Sequence, residues 1–464
     1  MENTTAIILA AGEGNRMDSC IPKVLCNVLE IPMIDWILDA LDEANIKDKC
    51  VVVGYKAQEV VEHIGKRAVF AFQKERKGTA EGVKAAIDFL EKNKEKDVFI
   101  CCGDSPLLDV DTITKSYFLH KNTNCCATVI SAKVLCPKDL GRIVRDENGN
   151  ILKIVEKKDA NIEELKIDEV NSGAYWFCVK DLLAILGDIE SKNKQNEYYL
   201  TDSIDILIKN KKKVSCFVAE NSDIIFGVND RFDLLKVNGI IKENIIKRLI
   251  KKGVEFISTD GVLISKYVEI GKNTKIFPGT IILGNTKIGE NSIIGPNTLI
   301  ENSVVGNNCK INASQVRNSR ILDFTTIGPF SNIRPDSEIS HHVKIGDFVE
   351  VKNSAIGAGT AISHLTYVGD SDVGKNVNFG CGVVTINYDG VKKNRCKISD
   401  GSFIGCNTNL VAPVKLGKNS YTGAGSTITK DVPDEALAIE RGKQVHVKDF
   451  SKYKLRGRKL KVKY

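Results

Sequence analysis

An aliphatic residue recurs at every sixth position through most of the chain after Val262. The series comprises Ile264, Ile270, Ile276, Ile282, Ile288, Ile294 and Ile300, then Ile321, Ile327, Ile333, Ile339, Ile345 and Val351, and finally Ile398, Ile404, Leu410 and Leu416. A period of six does not fit the 3.6-residue turn of an α-helix, and it is typical of a hexapeptide parallel β-helix. Turn segments such as GKNT and GPNT supply Gly and Asn where a positive φ is tolerated. This period does not determine the handedness of the helix.

Residues 1–228 have a different pattern. Apolar runs such as TTAIILA, KCVVVG and DVFICC alternate with helical stretches such as IDWILDALDEA. This alternation predicts an α/β domain with a largely parallel sheet and flanking helices. Residues 229–252 place apolar side chains at helical spacing with lysines between them, which predicts a helical linker. We therefore expect one domain over 1–228, the linker over 229–252 and a β-helix domain over 253–464. Residues 380–397 interrupt the aliphatic series, which predicts a projecting, functional loop.

Composition excludes several classes of protein. With 464 residues and 42% hydrophobic residues, the chain is expected to form more than one globular domain. No apolar run approaches the roughly 20 residues that span a bilayer, and the short AIILAA run is typical of a first strand and not of a signal peptide. Most of the fourteen cysteines lie in apolar runs without any CxxC motif, so we expect reduced thiols in the cytoplasm.

Charge is unevenly distributed along the chain. The net charge is +7, and ten Lys and Arg residues against one acid, Asp449, lie between Arg441 and the C-terminus. That segment contributes an excess of nine, so the remaining body is near −2. We therefore expect a basic tail, small-molecule substrates, and neither a nucleic-acid nor a membrane partner.

A glycine loop follows the first predicted strand. It reads LAAGEGNRM, and PKVL comes shortly after it. The glycines would let the backbone close around phosphates, while Arg16 and Lys23 supply cations. Met17 occupies the third glycine position of a dinucleotide fingerprint, and no GK[ST] of a Walker loop follows. By itself, this loop could also be an ordinary strand-to-helix turn with surface cations.

The motif LxAGxGxRM followed by PKVL resembles the sugar-phosphate nucleotidyltransferases, which have a Rossmann-like fold. The resemblance implies that a nucleotide and a sugar bind at Leu9, Ala10, Ala11, Gly12, Arg16, Lys23, Gln73, Gly78, Thr79, Gly103, Gly141, Glu156, Asn171 and Asn229. It also implies that Asp104 and Asn229 bind Mg²⁺. Asp104 alone could be an ordinary loop acid, but the two together make a hard oxygen site suited to this ion.

Two cations break the pattern of small residues that follow the aliphatic positions. Arg334 and Lys352 are eighteen residues apart, one full coil of three hexads, and are expected to stack about 4.8 Å apart. Cations held so closely repel each other unless an anion lies between them, and a sugar phosphate would serve. The alternative is a pair of solvated surface charges.

One histidine has a chemical context. His364 lies two positions after Ile362, points away from the aliphatic series and lies near Tyr367. An imidazole with a free pKa of about 6.5 suits the deprotonation of an attacking amine. We expect His63, His120, His341 and His342 to be surface residues.

Together the two halves resemble the bifunctional N-acetylglucosamine-1-phosphate uridyltransferases/glucosamine-1-phosphate N-acetyltransferases along nearly the whole chain. That resemblance implies a left-handed β-helix, homotrimers, and His364 as the catalytic base. It implies sugar-phosphate binding by Arg334, Lys352, Tyr367 and Asn378, and acetyl-CoA binding by Cys381, Asn387, Tyr388, Cys406, Ala424 and Arg441. The family often has Ala in place of Cys381 and Ser in place of Cys406.

The implied function has two steps. Acetyl-CoA acetylates glucosamine-1-phosphate, and N-acetylglucosamine-1-phosphate then takes uridylyl from UTP with release of pyrophosphate. The product, UDP-N-acetylglucosamine, would feed peptidoglycan and lipopolysaccharide precursors. One alternative is a monofunctional sugar-phosphate nucleotidyltransferase with a structural or regulatory β-helix, against which Arg334, Lys352 and His364 argue. A weaker alternative, an interaction scaffold with a decayed N-terminal half, is disfavoured by Lys23, Asp104 and Asn229.

Overall fold

The structure is a computed structural model that describes residues 1, 3–75 and 77–455. The end of the predicted basic tail, residues 456–464, therefore lies outside the described residues. Two units make up the chain, Met1–Glu243 and Asn244–Tyr464. Among the described residues, no helix is both long enough and apolar enough to span a membrane.

A mixed sheet forms the centre of the N-terminal unit, in the order β11-β7-β10-β6-β1-β4-β5. Its strands are β1 (Thr4–Ala10), β4 (Asp48–Val53), β5 (Val69–Phe72), β6 (Asp97–Cys102), β7 (Ala127–Lys133), β10 (Glu169–Cys178) and β11 (Val214–Val218). A hairpin of β8 (Arg142–Arg145) and β9 (Ile151–Val155) extends from β10, and β2 (Asn27–Val28) pairs with β3 (Ile31–Pro32). The strand β10 runs antiparallel to both of its neighbours, whereas β1 is parallel to β4 and β6.

Helices cover both faces of this sheet. They are α1 (Met33–Glu43), α2 (Ala57–Ile64), α3 (Thr79–Ala85), α4 (Ile87–Lys92), α5 (Val110–Thr123), α6 (Val179–Ile185) and α7 (Asp202–Lys209). Successive residues of β1 enter different cores, because Ile8 packs in the cluster with Ile37 and Trp176 while Ile7 packs in the cluster with Val83. Burial on both faces explains why β1 is almost continuously apolar.

The helix α8 (Arg231–Lys251) contains the boundary between the two units. Strands of two to four residues follow it, and they form three parallel sheets of eleven, ten and nine strands. Before the last coil, each strand pairs with the third strand after it, as in the pairing of Ile282 with Ile300, so one full coil takes eighteen residues here.

The strands of the β-helix are grouped by sheet. The first sheet has Glu255–Phe256, Lys275–Ile276, Ile293–Ile294, Lys310–Ile311, Thr326–Ile327, Lys344–Asp347, Ala361–His364, Asn378–Phe379, Phe403–Ile404, Tyr421–Thr422 and Leu437–Ala438. The second has Leu263–Ile264, Ile281–Leu283, Leu299–Glu301, Gln315–Arg317, Asn332–Ile333, Glu350–Lys352, Tyr367–Gly369, Val384–Ile386, Asn409–Val411 and Thr427–Ile428. The third has Glu269–Ile270, Lys287–Ile288, Val304–Val305, Arg320–Ile321, Glu338–Ile339, Ala355–Ile356, Ser371–Val373, Cys396–Ile398 and Val414–Leu416, and a last helix, α9, spans Phe450–Leu455.

The recurring aliphatic residues form the interior of this fold. Ile276, Ile294 and Ile327 are completely buried, while turn residues such as Asn273 and Asn291 have φ values of 60° and 56°. Three parallel sheets stacked on an interior of this kind match the predicted left-handed β-helix of hexapeptide repeats. The fold predicted from the sequence is confirmed for both halves of the chain.

The interruption predicted between Gly380 and Lys397 is shorter than expected. Residues Val384–Ile386 continue the second sheet and pair with Asn409–Val411, so only residues 387–395 leave it. The inward position is taken by Thr385, which is buried and whose hydroxyl accepts a hydrogen bond of 2.7 Å from Gly369 N. The prediction was wrong at this point because a satisfied polar residue replaces the aliphatic one.

Candidate active sites

The glycine loop after β1 packs closely against Lys23. Gly14 has a φ of 69°, and a Cβ at this position would lie 2.7 Å from the Cβ of Lys23. Gly12 has open space at the corresponding position, so the backbone of the loop remains accessible there. Arg16 is exposed in a short 3₁₀ helix, Asn15–Met17, which buries Met17 against the domain.

Lys23 joins two predicted metal ligands that are far apart in the sequence. Its Nζ lies 2.5 Å from Asp104 Oδ2 and 3.1 Å from Asn229 Oδ1. Asp104 follows β6, and the backbone N–H of Val228 donates to its carbonyl oxygen at 2.9 Å. The carboxylate and the amide oxygen therefore converge on one cation, here the ammonium of Lys23.

This donor set fits Mg²⁺, which prefers oxygen ligands and retains waters and substrate phosphates in its coordination shell. The described residues contain no group of three or more His, Cys, Asp or Glu side chains that could hold a metal by itself. Asp104 and Asn229 would therefore need oxygen atoms of the substrate to complete a magnesium site.

The segment after β5 contains three of the predicted nucleotide- and sugar-binding residues, Gln73, Gly78 and Thr79. Gly78 has a φ of 111°, and a Cβ there would lie 2.4 Å from the carbonyl oxygen of Tyr198, so only glycine fits this position. The hydroxyl of Thr79 accepts a hydrogen bond from Leu200 N at 2.9 Å. The side-chain amide of Gln73 donates to the carbonyl oxygen of Gly78 at 3.4 Å. These contacts hold the predicted residues together.

Gly141, Glu156 and Asn171 also lie together. Asn171 N donates to the carbonyl oxygen of Gly141 at 2.9 Å, and a Cβ on Gly141 would lie 3.4 Å from Glu156 Oε1. Burial raises the pKa of Glu156, although a hydrogen bond from Thr201 opposes this effect. The Asn171 side-chain amide donates to Tyr175 OH at 2.6 Å. Tyr175 and Thr201 were not predicted, because neither carries a motif of its own.

The third predicted group, on the β-helix, is cationic. Ile333 pairs with Val351, so Arg334 and Lys352 follow matched positions on successive coils. Arg334 Nη1 donates to Glu350 Oε1 at 2.7 Å, and Glu350 is therefore the anion that offsets this guanidinium.

Lys393, on the projecting loop, is a third cation that the sequence did not reveal. The neighbouring ammonium of Lys352 lowers the pKa of the Lys393 ammonium. An antiparallel bridge between Tyr388 and Lys393 closes the loop. Lys393 is therefore near the strand residues from which the loop projects.

His364 has a carboxylate partner on the preceding coil. Its Nδ1 lies 2.8 Å from Asp347 Oδ1, and this hydrogen bond lowers the pKa of Asp347. A carboxylate can only accept, so Nδ1 donates and Nε2 keeps its lone pair in the neutral imidazole. Asp347 was not predicted, although it precedes His364 by seventeen residues, about one coil.

A column of residues continues from this pair along one corner of the β-helix. We define it as the His364 column: Asp347, His364, Cys381, Cys406 and Ala424. Backbone hydrogen bonds join successive members. The residue that follows one member donates its N–H to the carbonyl oxygen of the preceding member, as in Leu365 N to Asp347 O at 3.0 Å and Gly425 N to Cys406 O at 2.8 Å. Arg441 Nη1 donates to the carbonyl oxygen of Ala424 at 2.9 Å, at the far end of the column.

The remaining predicted residues lie on neighbouring strands or in the projecting loop. Asn387 donates to Tyr367 OH at 3.3 Å and also to the buried carboxylate of Asp370. Asn378 pairs with Ala361, on the strand that ends at His364. Tyr388 is exposed and donates its hydroxyl to Gly390 O at 2.7 Å.

One histidine prediction was wrong. His120 is buried, and its Nδ1 lies 3.0 Å from Thr128 Oγ1. It occupies the inward face of α5 beside Trp176, so the polar ring is satisfied inside the core. His63, His341 and His342 are exposed as expected.

Comparison with known families agrees with this geometry. A model of the nucleotidyl transferases matches residues 5–228, and a model of the bacterial transferase hexapeptide, six repeats, matches residues 267–302 and 395–430. The fold and the sites therefore define a nucleotidyltransferase joined to a hexapeptide-repeat transferase.

Relatives match almost the entire chain. The bifunctional protein GlmU of Acetivibrio thermocellus is 46% identical over 450 residues, covering 97% of both chains. Those of Geobacillus sp. and Caldicellulosiruptor saccharolyticus are each 45% identical, covering 96% of this chain and 97% and 96% of their own. The chain belongs to the bifunctional GlmU family, and it is an enzyme of UDP-N-acetylglucosamine synthesis with acetyltransferase and uridyltransferase activities. The monofunctional alternative is not favoured.

Proposed function

We propose that acetyl transfer takes place beside His364 and that uridylyl transfer takes place beside Lys23, Asp104 and Asn229. The acetyltransferase acts first and supplies N-acetylglucosamine-1-phosphate to the uridyltransferase. The product serves as a precursor for the cell wall. The hydrogen bond between Asp347 and His364 is the observation that carries the assignment of the acetyl-transfer site.

In the acetyl-transfer step, the amine of glucosamine-1-phosphate attacks the carbonyl carbon of acetyl-CoA. A C–N bond forms, the C–S bond breaks, and coenzyme A leaves as a thiolate that takes up a proton. His364 Nε2 accepts the proton that the amine loses. Asp347 holds the ring by Nδ1 and stabilises the imidazolium as it forms, as a carboxylate does for the histidine of a hydrolytic triad.

Three cations bind the phosphate of glucosamine-1-phosphate in this proposal: Arg334, Lys352 and Lys393. The lowered pKa of Lys393 supports the assignment, because a phosphate dianion between two ammonium groups would relieve their repulsion. Tyr367 and Asn378 bind the sugar. Acetyl-CoA lies along the His364 column, with Cys381, Asn387, Tyr388, Cys406, Ala424 and Arg441 as its contacts.

In the uridylyl-transfer step, a phosphate oxygen of N-acetylglucosamine-1-phosphate attacks the α-phosphorus of UTP, and pyrophosphate leaves. Arg16 and Lys23 neutralise charge on the phosphates. Asp104 and Asn229 would hold Mg²⁺, which would supply further positive charge to the polyphosphate. The nucleotide and sugar contacts are Leu9, Ala10, Ala11, Gly12, Gln73, Gly78, Thr79, Gly103, Gly141, Glu156 and Asn171.

The protein assembles as a homotrimer through its β-helix. Support comes from an exposed apolar column, in which Phe330, Phe348 and Leu365 are 60%, 57% and 58% exposed, and the rings of Phe330 and Phe348 stack at 5.4 Å. Such a patch is costly to leave in water. Light scattering at micromolar concentration should give a trimer that Phe348→Ser weakens and Leu135→Ser, at an exposed leucine of the other unit, does not. A monomeric wild-type protein would contradict the assignment.

The compartment in this proposal is the cytoplasm, and all fourteen cysteines are free, which supports a reducing environment. The nucleotidyltransferase domain comprises residues 1–228, the linker 229–252 and the acetyltransferase domain 253–464. Expression of residues 1–252, which retain Asn229 and the linker, should give a folded uridyltransferase, and an insoluble or inactive product would place the boundary elsewhere.

The central experiment measures release of free coenzyme A with glucosamine-1-phosphate as acceptor. We expect His364→Ala to lower this rate by about 10²-fold or more, as for loss of a general base, while uridylyl transfer persists. His342→Ala, at an exposed histidine that is not among the predicted substrate contacts, is the control. Near-normal acetylation by His364→Ala would assign the base to another group.

A further inference from the structure

Two cysteines occupy neighbouring positions in the His364 column. Phe379 pairs with Ile404, so Cys381 and Cys406 are opposite each other two residues later. Asn407 N donates to the carbonyl oxygen of Cys381 at 2.8 Å. A Cβ on Gly380 would lie only 2.8 Å from the Cα of Cys406, which means that the two turns pack directly on each other.

These thiols also differ in exposure from most of the other cysteines. Cys406 is exposed and Cys381 is partly exposed. The remaining exposed cysteines, Cys20 and Cys136, are on the other unit. Adjacent, accessible and free thiols are the requirements for a dithiol that small molecules can reach.

The spacing permits a reversible bond between them. Neighbouring strands lie about 4.8 Å apart, and disulfides join residues whose Cα atoms are about 4.4–6.8 Å apart. Cys381 and Cys406 lie in stacked turns just beyond the paired residues Phe379 and Ile404, so the spacing of neighbouring coils places their Cα atoms within this range. A bond formed there is reversible, because a small thiol can exchange with it at the exposed Cys406.

We propose that Cys381 and Cys406 form a redox-active dithiol that low-molecular-weight disulfides oxidise to an internal disulfide. The thiolate of Cys406 attacks the small disulfide, forms a mixed disulfide and releases one thiol. Cys381, next to His364 in the column, then loses its proton to the imidazole, attacks the sulfur of Cys406 and releases the second thiol. Two protein thiols are oxidised, and one small disulfide is reduced to two thiols.

The oxidised column stops acetyl transfer and leaves uridylyl transfer intact. The new bond ties together the two coils that follow His364, and it fixes both side chains where the acyl group of acetyl-CoA would lie. This consequence rests on the proposed acetyl-transfer site, whereas formation of the bond does not.

The test uses the full-length, reduced protein and oxidised glutathione. We expect peptide mapping to link Cys381 to Cys406, with the linked peptides two hydrogen atoms lighter than the two reduced peptides together and without glutathione on either cysteine, whatever adducts form at the exposed Cys20 and Cys136. Cys381→Ala and Cys406→Ser should instead carry a glutathione adduct on the remaining cysteine. Cys136→Ser, at an exposed thiol of the other unit, should form the internal bond as the wild type does. Absence of the bond, or a different pairing, would overturn the proposal.

Activity is compared for each variant with its own reduced form. Oxidised wild type should lose acetyl transfer by about tenfold or more, since misplacement of the reacting groups is costly, and dithiothreitol should restore it. If the bond forms and acetyl transfer continues unchanged, the proposal that the disulfide regulates acetyl transfer is refuted. The assignment of the acetyl-transfer site is tested separately. Full acetylation by the reduced His364→Ala variant would refute that assignment, whether or not the disulfide forms.

Discussion

Asp347 Oδ1 lies 2.8 Å from Nδ1 of His364, and the two residues are paired on successive strands of the first sheet. The contact fixes the orientation of the imidazole on an otherwise exposed surface, where the His364 side chain is 59% exposed. A ring that would otherwise rotate freely is thereby held with Nε2 available to a substrate.

Asp347→Asn separates the charge of this partner from its geometry. The amide oxygen can still accept from Nδ1, so the ring should stay in place. The negative charge that stabilises the imidazolium as it forms during proton transfer is lost, however. We expect kcat for acetyl transfer to fall by about tenfold or more and the KM values to change little.

Two further variants make this measurement specific. Asp347→Ala should lower kcat further, because the ring also loses its orientation. Asp372→Asn removes a similarly exposed carboxylate from the third sheet, where it pairs with Arg395, and should leave kcat and the KM values unchanged. A kcat of Asp347→Asn equal to that of the wild type would exclude an electrostatic role for Asp347.

Lys23→Ala should impair only the uridyltransferase. The variant removes the ammonium that joins Asp104 and Asn229, and with it a cation that would neutralise substrate phosphate. We expect UDP-sugar formation to fall by about 10²–10³-fold, with coenzyme A release unaffected. Lys96→Ala breaks a comparable ion pair with Asp48 in the same unit and serves as the control. Equal loss of both activities in a folded variant would show that the two sites are not separable.

Lys393 should make sugar-phosphate binding sensitive to alkaline pH. Because the ammonium of Lys352 lowers the pKa of Lys393, Lys393 loses its proton at a lower pH than an isolated lysine, and the site then has one positive charge fewer. We expect the KM for glucosamine-1-phosphate to rise as the pH approaches this lowered pKa from below. Proton uptake on substrate binding in this range, measured by calorimetry in two buffers, would support the assignment.

Lys393→Ala should raise this KM at every pH and remove its rise at alkaline pH. The effect should be larger at low salt, where charges are less screened. Lys392→Ala removes the same charge from the same loop and should change the KM much less. Equal effects of the two variants would mean that the loop acts only through its net charge.

The sequence predicted the β-helix because one aliphatic residue per hexad is enough to define an inward-facing ladder. It predicted poorly where an inward position is polar, as at Thr385, whose hydroxyl is satisfied by neighbouring backbone. The prediction that His120 is exposed was wrong for a related reason, because Thr128 forms a hydrogen bond with the ring inside the core. Single-residue polarity carries no information about such partners.

The sequence also did not reveal which residues of neighbouring coils contact the candidate site residues. Asp347 is adjacent to His364 only once the register of the first sheet is known. Lys393 reaches Lys352 through a loop that has no periodic pattern. The motifs therefore indicated candidate site residues, but not the residues that hold those candidates in place.

The basic tail should tune the affinity for acetyl-CoA. Arg441, at the start of the tail, donates to the carbonyl oxygen of Ala424 at the end of the His364 column. The segment after Phe450 contains seven Lys and Arg residues, some of them outside the described residues, and acetyl-CoA carries several phosphate charges. Deletion of the residues after Phe450 should raise the KM for acetyl-CoA, and more so at low salt, because unscreened attraction acts over a longer distance.

A second variant separates the charge of the tail from its bulk. Replacing the seven Lys and Arg residues after Phe450 with Gln preserves the length of the chain, so it should raise the KM for acetyl-CoA as the deletion does if attraction to phosphate is the cause. UTP turnover and the oligomeric state should remain those of the wild type in both variants, because neither depends on attraction between the tail and the phosphates of acetyl-CoA. An unaltered KM for acetyl-CoA at low ionic strength would mean that the tail is only a solvated terminus, which is the usual behaviour of a run of like charges.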